Sequence, residues 1–485
     1  MHLTALLSGL PVRRTTGLPE GENPEVLSLE YDSRRVEAGA LFFAVEGEKT
    51  DGHLYVDEAV RRGALAVASE RRSPPGTEVA WIQVEAVRPF MGLVADRFWG
   101  HPSGDLDLVG ITGTNGKTTT AFLVHSVLRQ RSTALLMGTI KTAFGDSEKE
   151  SVRTTPESVD LQKVLAEALK SGCKTGAVEV SSHALFFYRV YQCSFPVAVF
   201  CNLSQDHLDF HRSLEEYFQA KCRLFQTPYN PGLRHAVVNA DDPFAGRIPA
   251  AGGVRKTTFG FSTRCDVHPR GGGKSDRGYE AELHFFDRTL SIRTSLPGEH
   301  NLYNVMAAAA ASSLLGCSDE EILRGVEDLK SVPGRFEKVD LEKPFTVIVD
   351  YAHTPHALEN ALKLSRRLSG SGVICVFGCG GERDREKRPM MGAVAVKNSD
   401  WAVITSDNPR GEDPDLINRE IVAGIPERCN NYEVVPDRRE AISRALARAG
   451  AGDLVLIAGK GHETYQDLSG GRIHFDDREV VREVQ

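Results

Sequence analysis

The sequence predicts an α/β protein of three units, on three observations. Its 485 residues are too many for one hydrophobic core. From residue 105 onward short apolar runs alternate with helical patterns, as in a parallel, doubly wound sheet. The alternation halts at Ser331-Val332-Pro333-Gly334 and then resumes, which marks a boundary between two such units. The expected units are residues 1–100, 101–333 and 334–485.

In the first unit, residues 40–45 and 64–68 read as strands among the turn glycines Gly39, Gly47 and Gly52, with no long helix beyond residues 55–62. The second unit is expected to carry strands at 106–111, 175–180, 196–201 and 236–239 and helices at 118–129, 156–171 and 214–225. Thr155-Pro156 fits an N-cap followed by proline in the first helical position. Residues 251–297, with glycines from Gly271 to Gly273, read as a small β appendage, and an alanine-rich helix from Asn304 to Leu315 closes the unit. The third unit is expected to carry strands at 345–350, 373–377, 401–405 and 453–458.

Composition narrows the function classes. With 58 Lys and Arg against 66 Asp and Glu, the net charge is −8, and no long basic block favours nucleic acid or an anionic membrane. The apolar stretch Leu3 to Leu10 is short, and Arg13 and Arg14 follow it, unlike a secretory signal. No run of about twenty apolar residues could span a bilayer. Nine scattered cysteines without a Cys-x-x-Cys pair read as reduced thiols of a cytoplasmic protein. Cys375 and Cys379 lack the second pair that a metal site would need.

The chemistry concentrates where strands end. Residues 110–120 read Gly-Ile-Thr-Gly-Thr-Asn-Gly-Lys-Thr-Thr-Thr between an apolar run and a helical pattern. This is a phosphate cradle, with Lys117 reaching the outer phosphates and the Thr118 hydroxyl placed for Mg²⁺. It is a variant, because the Walker spacing would need glycine where Ile111 stands. Glu179 ends one expected strand, and Asn202 to Asp209 follow another. Glu179 and His207 suit a cation held against phosphates, and a hydrogen-bond network around His183 and His207 suits the same residues. Lys221, read alone, is a solvated helix lysine. In the third unit, Arg383, Arg385, Lys387 and Arg388 follow a glycine turn at a strand end and suit anion recognition. Arg410, Asn408 and Glu463 end neighbouring strands, and together with Arg383 they suggest a pocket for a zwitterionic amino acid.

These motifs together resemble the Mur ligase family, which adds amino acids to the UDP-muramoyl precursor of peptidoglycan. The resemblance spans essentially the whole chain and rests on Thr112-Gly113-Thr114-Asn115-Gly116-Lys117-Thr118-Thr119, Glu179-Val180-Ser181-Ser182-His183, Asp206-His207-Leu208-Asp209, His300-Asn301-x-x-Asn304 and Asp350-Tyr351-Ala352-His353-Thr354-Pro355. Asp407-Asn408-Pro409-Arg410 and Gly459-Lys460-Gly461-His462-Glu463 resemble the branch that joins a diamino acid to UDP-N-acetylmuramoyl-L-alanyl-D-glutamate. The resemblance implies a monomer with a UDP-binding first domain, a central P-loop ATPase domain and a Rossmann-like C-terminal domain. It implies ATP-driven amide formation through an acyl phosphate. The diamino acid expected is meso-diaminopimelate, with lysine or ornithine as alternatives.

Residue roles carry over position by position. Gly113, Thr114, Asn115, Gly116, Lys117, Thr118 and Thr119 would cradle the ATP phosphates, and Asn301, Asn304, Arg335, Asp350 and His353 would hold the nucleotide. Thr118 and Glu179 would bind one Mg²⁺, and Glu179, His207 and a carboxylated Lys221 a second. Ser33 and Glu48, Lys49 and Thr50 would hold UDP, and Thr154, Thr155, Ser181 and Arg189 the sugar–peptide. Arg383, Asp407, Asn408, Arg410, Gly459 and Glu463 would hold the amino acid. Arg335 and Asp350 lie beyond the domain break, so catalysis should need closure. One departure stands out: Phe187 and Tyr188 precede Arg189 where relatives often carry Gln or Gly and a small or polar residue. Two rivals remain: a folylpolyglutamate-synthase-like ligase, which lacks a UDP-binding first domain, and a P-loop regulatory switch, which needs no amino-acid pocket.

Overall fold

The computed structural model describes residues 1–484 except 19–20, 48–49, 78, 251 and 276–277, and gives backbone alone for 272–275. The first domain holds a five-stranded sheet in the spatial order Val12–Thr16, Ala80–Val84, Ala64–Ser69, Ala40–Phe43, Ser28–Glu30. The first strand is antiparallel and the rest are parallel. A twelve-residue helix, Val87–Phe98, corrects the expectation of no long helix beyond 55–62. Val87, Phe90, Met91, Val94 and Ala95 form its buried stripe at helical spacing. Pro89 and Gly92 obscure that periodicity in the sequence, yet proline is tolerated in a first turn.

The central domain is built on an eleven-stranded sheet. Six strands form its parallel heart: Arg255–Phe259, His235–Asn239, Val197–Phe200, Asp107–Thr112, Thr175–Glu179 and Ala134–Met137. Successive residues of Asp107–Thr112 face opposite cores. Val109 and Ile111 pack with the helices Lys117–Leu128 and Glu299–Leu314, and Leu108 packs with Phe195 and Phe200 on the other face. The expected β appendage is a continuation of this sheet: Val267–Ser275 pairs with Arg255–Phe259 and leads into an antiparallel meander, Gly278–Phe285 and Arg288–Thr294. At the other edge the hairpin Lys141–Phe144 and Ser147–Glu150, not anticipated, extends the sheet.

Two helix starts move. The 156–171 helix begins at Ser158, not at a Thr155-Pro156 cap. The Thr155 hydroxyl is committed elsewhere, donating to the Glu179 carbonyl at 2.7 Å and accepting from the Ser181 N–H at 3.2 Å. The alanine-rich helix begins five residues early, at Glu299, which puts Asn301 and Asn304 on its first turn and a half.

The third domain follows the helix Asp319–Asp328 and carries a six-stranded sheet. Its order is Glu337–Val339, Thr346–Asp350, Leu454–Ala458, Val373–Phe377, Trp401–Ile404, Tyr432–Val434, parallel except for the first. The four strands whose ends carry chemistry are therefore side by side. Among the described residues, no helix is long and apolar enough to cross a membrane.

Candidate active site

The P-loop joins Asp107–Thr112 to the helix Lys117–Leu128. Its glycines are forced by close approach. Gly113 has φ +154°, and a Cβ there would lie 2.8 Å from Cys201 Cβ; Gly116 has φ +86°, and a Cβ there would collide with Asn304 Oδ1. Asn202, to which the sequence reading gave no role, pins the loop. Its carbonyl accepts from Thr114 N–H at 2.9 Å and its side-chain oxygen from Asn115 N–H at 2.9 Å. Lys117 curls back and donates to the carbonyls of Gly113 and Thr114, both at 2.9 Å, so these oxygens stand where phosphate oxygens would compete. Burial lowers its pKa.

Glu179 is fully buried at the end of its strand. One carboxylate oxygen accepts from Thr139 N–H at 2.8 Å, and the other from the hydroxyls of Thr118 and Thr139, each at 3.0 Å. Thr154 contacts the Thr139 hydroxyl at 3.1 Å. Thr118 thus meets Glu179 as expected of a shared oxygen site. His207 instead faces Asp206, Nε2 to carboxylate at 3.3 Å, and packs edge-on to His183. No group of three or more His, Cys, Asp or Glu among the described residues could hold a metal. Lys221 is no solvated lysine: it is 1% exposed, donates to the Gly113 carbonyl at 2.8 Å, and stands 4.2 Å from the Tyr217 ring centroid. Burial, aided by Lys117, holds its ammonium pKa well below the usual range.

The third domain reaches into this site. Arg335 donates to the Thr118 hydroxyl at 3.0 Å and lies 4.4 Å from the Tyr351 ring centroid. Asp350 accepts from Phe336 N–H at 2.6 Å and so fixes the turn that presents Arg335. Asp206, quoted in a motif but given no role, is met across the boundary by His353 at 3.8 Å and Lys387 at 4.0 Å. These histidines and Lys387 hold its carboxyl well below the usual carboxylate range despite burial. Between the domains lies a cavity of about 700 Å³, lined by Thr114 to Thr119, Asn301, Asn304, Arg335, Asp350 and His353, and by Thr154 and Ser181. Asn301 and Asn304 are joined at 2.9 Å.

The expected amino-acid residues also converge. Asn408 donates to Glu463 at 2.7 Å, and Lys460, fully buried and not anticipated, donates to both, at 3.1 and 3.2 Å. Burial, then Asp407, raises the pKa of Glu463. Gly459 (φ +116°) leaves room for the Asp407 carboxylate. A Cβ on Gly380 would lie 3.1 Å from Arg410 Nη1 and 3.7 Å from Arg383 Cγ, so both arginines flank one glycine turn. Arg385 and Arg388 correct the anion-cluster expectation. Arg388 is fully buried between Glu412 and Glu420, and Arg385 pairs with Glu420. Cys379 packs its thiol on Met391 Sδ at 3.6 Å.

In the first domain, the Ser33 hydroxyl donates to Glu58 at 2.8 Å, and Thr50 to the Tyr55 hydroxyl at 3.2 Å. Both residues follow the carboxyl ends of adjacent parallel strands. Glu48 and Lys49 lie outside the described residues. Arg189 meets Glu157 at 2.8 Å.

Comparison with known proteins adds the following. The model described as Mur ligase middle domain matches residues 111–312, that of the Mur ligase glutamate ligase domain residues 334–461, and that of the Mur ligase family catalytic domain residues 25–99. A UDP-N-acetylmuramoyl-L-alanyl-D-glutamate–2,6-diaminopimelate ligase of Solibacter usitatus is 45% identical over 485 residues, covering 100% of this chain and 98% of that one. The enzyme of the same name from Geobacillus kaustophilus is 44% identical over 487 residues and 99% of each chain. A solved structure with that name superposes with a TM-score of 0.68 at 33% identity, covering 100% of this chain and 98% of that one.

Proposed function

The chain belongs to the Mur ligase family, and from that premise we propose that it is the ATP-dependent amide ligase that adds 2,6-diaminopimelate to UDP-N-acetylmuramoyl-L-alanyl-D-glutamate. The observation that carries this reading is the Arg335–Thr118 hydrogen bond, which brings the third domain onto the P-loop beside a cavity of nucleotide size.

The D-glutamyl side-chain carboxylate is a poor electrophile. It attacks the γ-phosphate of ATP, the bond to the β-phosphate breaks, and ADP leaves behind an acyl phosphate. Phosphoryl transfer needs charge neutralisation more than covalent help. Lys117, released from its own loop carbonyls, and Arg335 supply that charge. The diaminopimelate amine, as its neutral form, then attacks the acyl carbon, and the tetrahedral intermediate loses the amine's proton and expels phosphate to leave the amide. Arg383 and Arg410 take the distal carboxylate of the diamino acid, and Glu463 its ammonium group.

Thr118 and Glu179 fit Mg²⁺, since a hydroxyl and a carboxylate already share one locus and phosphates complete an oxygen set. The ion supplies Lewis-acid neutralisation of phosphate charge. Burial favours the neutral amine of Lys221, the form that reacts with CO₂. As a carbamate it would turn from donor to oxygen ligand, and with His207 and Glu179 it would hold a second ion. The protein works as a cytoplasmic monomer. Phosphate release by the purified protein tests the reading: it should require both the UDP-muramoyl-dipeptide and diaminopimelate. Release indifferent to either substrate would refute it.

A further inference from the structure

Arg335 is aimed by its backbone. Its guanidinium makes a single side-chain hydrogen bond, to the Thr118 hydroxyl, and its buried Nε has no partner among the described residues. With so few partners of its own, its pose is set by the turn beneath it. That turn is Val332-Pro333-Gly334-Arg335, closed by the Arg335 N–H on the Val332 carbonyl at 3.0 Å. Proline second and glycine third suit a turn whose third residue needs positive φ, and Gly334 has φ +64°.

Gly334 is held on every polar atom. Its N–H donates to Glu337 Oε2 at 2.6 Å, and its carbonyl accepts from the Tyr351 N–H at 2.9 Å. A Cβ on Gly334 would lie 2.0 Å from the His462 nitrogen and 2.4 Å from the Gly461 carbonyl carbon, so that loop packs its backbone directly on the turn. Burial first, then Arg335 and Arg478, push the His462 imidazole down to about 3, so it stays neutral and adds no charge that would repel Arg335.

Arg478 gathers these contacts from the last helix, Asp477–Glu483. Its Nη1 donates to Glu337 Oε2 at 3.3 Å and its Nη2 to the His462 carbonyl at 3.4 Å. Asp476 anchors the same guanidinium, accepting from Nε at 2.9 Å and from Nη2 at 2.6 Å. One Glu337 oxygen thus takes both the Gly334 N–H and the guanidinium. The Arg478 side chain is 15% exposed and that of Glu337 24%, so without its arginine the carboxylate has water to turn to. Neither residue is among those lining the cavity, so neither meets a substrate there. We infer that Arg478 is a positioning residue: by holding Glu337 and the His462 carbonyl against Gly334, it keeps Arg335 aimed at the P-loop. This rests on the role given to Arg335 above.

The test is a double-variant cycle. It measures kcat/KM for ATP in the unaltered protein, Arg478→Ala, Arg335→Ala and the double variant, with both other substrates saturating and a thermal melt for each. Arg478→Ala should lose about tenfold or more, as for a hydrogen bond between charged groups, with the KM for diaminopimelate and for the acceptor little changed. Added to Arg335→Ala, the same substitution should cost less than about twofold further, since no guanidinium is left to aim. A brace that only stabilised the fold would act equally in both backgrounds. Should Arg478→Ala fail to fold, Glu337→Gln takes its place in the cycle. It keeps an oxygen for the Gly334 N–H but loses the ion pair, and should lose about threefold. Equal losses in both backgrounds, unchanged kcat/KM in a folded variant, or a rise confined to the KM for diaminopimelate would each overturn the inference. Absence of turnover by the unaltered protein, or full activity of Arg335→Ala, would overturn the role of Arg335 and this inference together. Full activity of Arg478→Ala beside an impaired Arg335→Ala overturns the inference alone.

Discussion

Replacing Arg335 by alanine isolates the link between the third domain and the P-loop. The substitution removes one N–H donated to the Thr118 hydroxyl at 3.0 Å and one guanidinium 4.4 Å from the Tyr351 ring. A hydrogen bond from a charged donor contributes about 1.5–3 kcal/mol. A partly exposed cation–π contact adds about 0.5–1 kcal/mol. Their sum, about 2–4 kcal/mol, corresponds to a loss of roughly 30- to 1000-fold in kcat/KM for ATP. Stability should change little, because the two domains have separate cores. The central clusters include Ile111 and Phe200, and the third-domain clusters Phe377 and Ile457. Initial-rate kinetics with both other substrates saturating, alongside a thermal melt, measure the two effects. A variant that keeps kcat/KM within about threefold would refute the reasoning that this contact serves the reaction.

Lys221→Ala should abolish turnover, and ¹³CO₂ labelling of the unaltered protein should give a carbamate carbonyl signal lost in the variant; an active, unlabelled protein would count against the modification. Arg410→Ala should raise KM for diaminopimelate about tenfold or more while the ATP KM holds, and an equal change in both would remove Arg410 from the amino-acid site. Burial pushes the His125 imidazole down from 6.5 to about 4. Between those values the unfolded chain binds the extra proton, so this group's contribution is present above about pH 6.5 and is lost as pH falls to about 4. His125→Gln should flatten urea-measured stability over that window by up to about 3 kcal/mol, and an unchanged slope would contradict the assignment.

What could be read from the chain depended on how locally each feature is encoded. The P-loop and the four strand ends of the third domain are short, contiguous signals, and their elements fall within a residue or two of expectation. The helix Val87–Phe98 escaped because Pro89 and Gly92 interrupt its pattern, although its buried stripe is regular. Asn202, Asp206 and Lys460 were visible only as letters within motifs, since their partners lie 87, 147 and 52 residues away in Asn115, His353 and Asn408. Arg385 and Arg388 looked like ligand groups for the same reason. The carboxylates that neutralise them, Glu412 and Glu420, sit on a later segment, and no local rule announces the pairing.

Among the described residues, the side-chain contacts that fix Glu463 come from the third domain's sheet and the hairpin beyond it: Asn408, Lys460 and, through Asn408, Asp467. None belongs to the P-loop domain. On the proposed assignment, the choice of incoming residue would travel as one block beginning after Val332-Pro333, and Arg335 would travel with it. A chimera exchanging that block between relatives would carry its preference along, together with Arg335, while the P-loop stayed with the host.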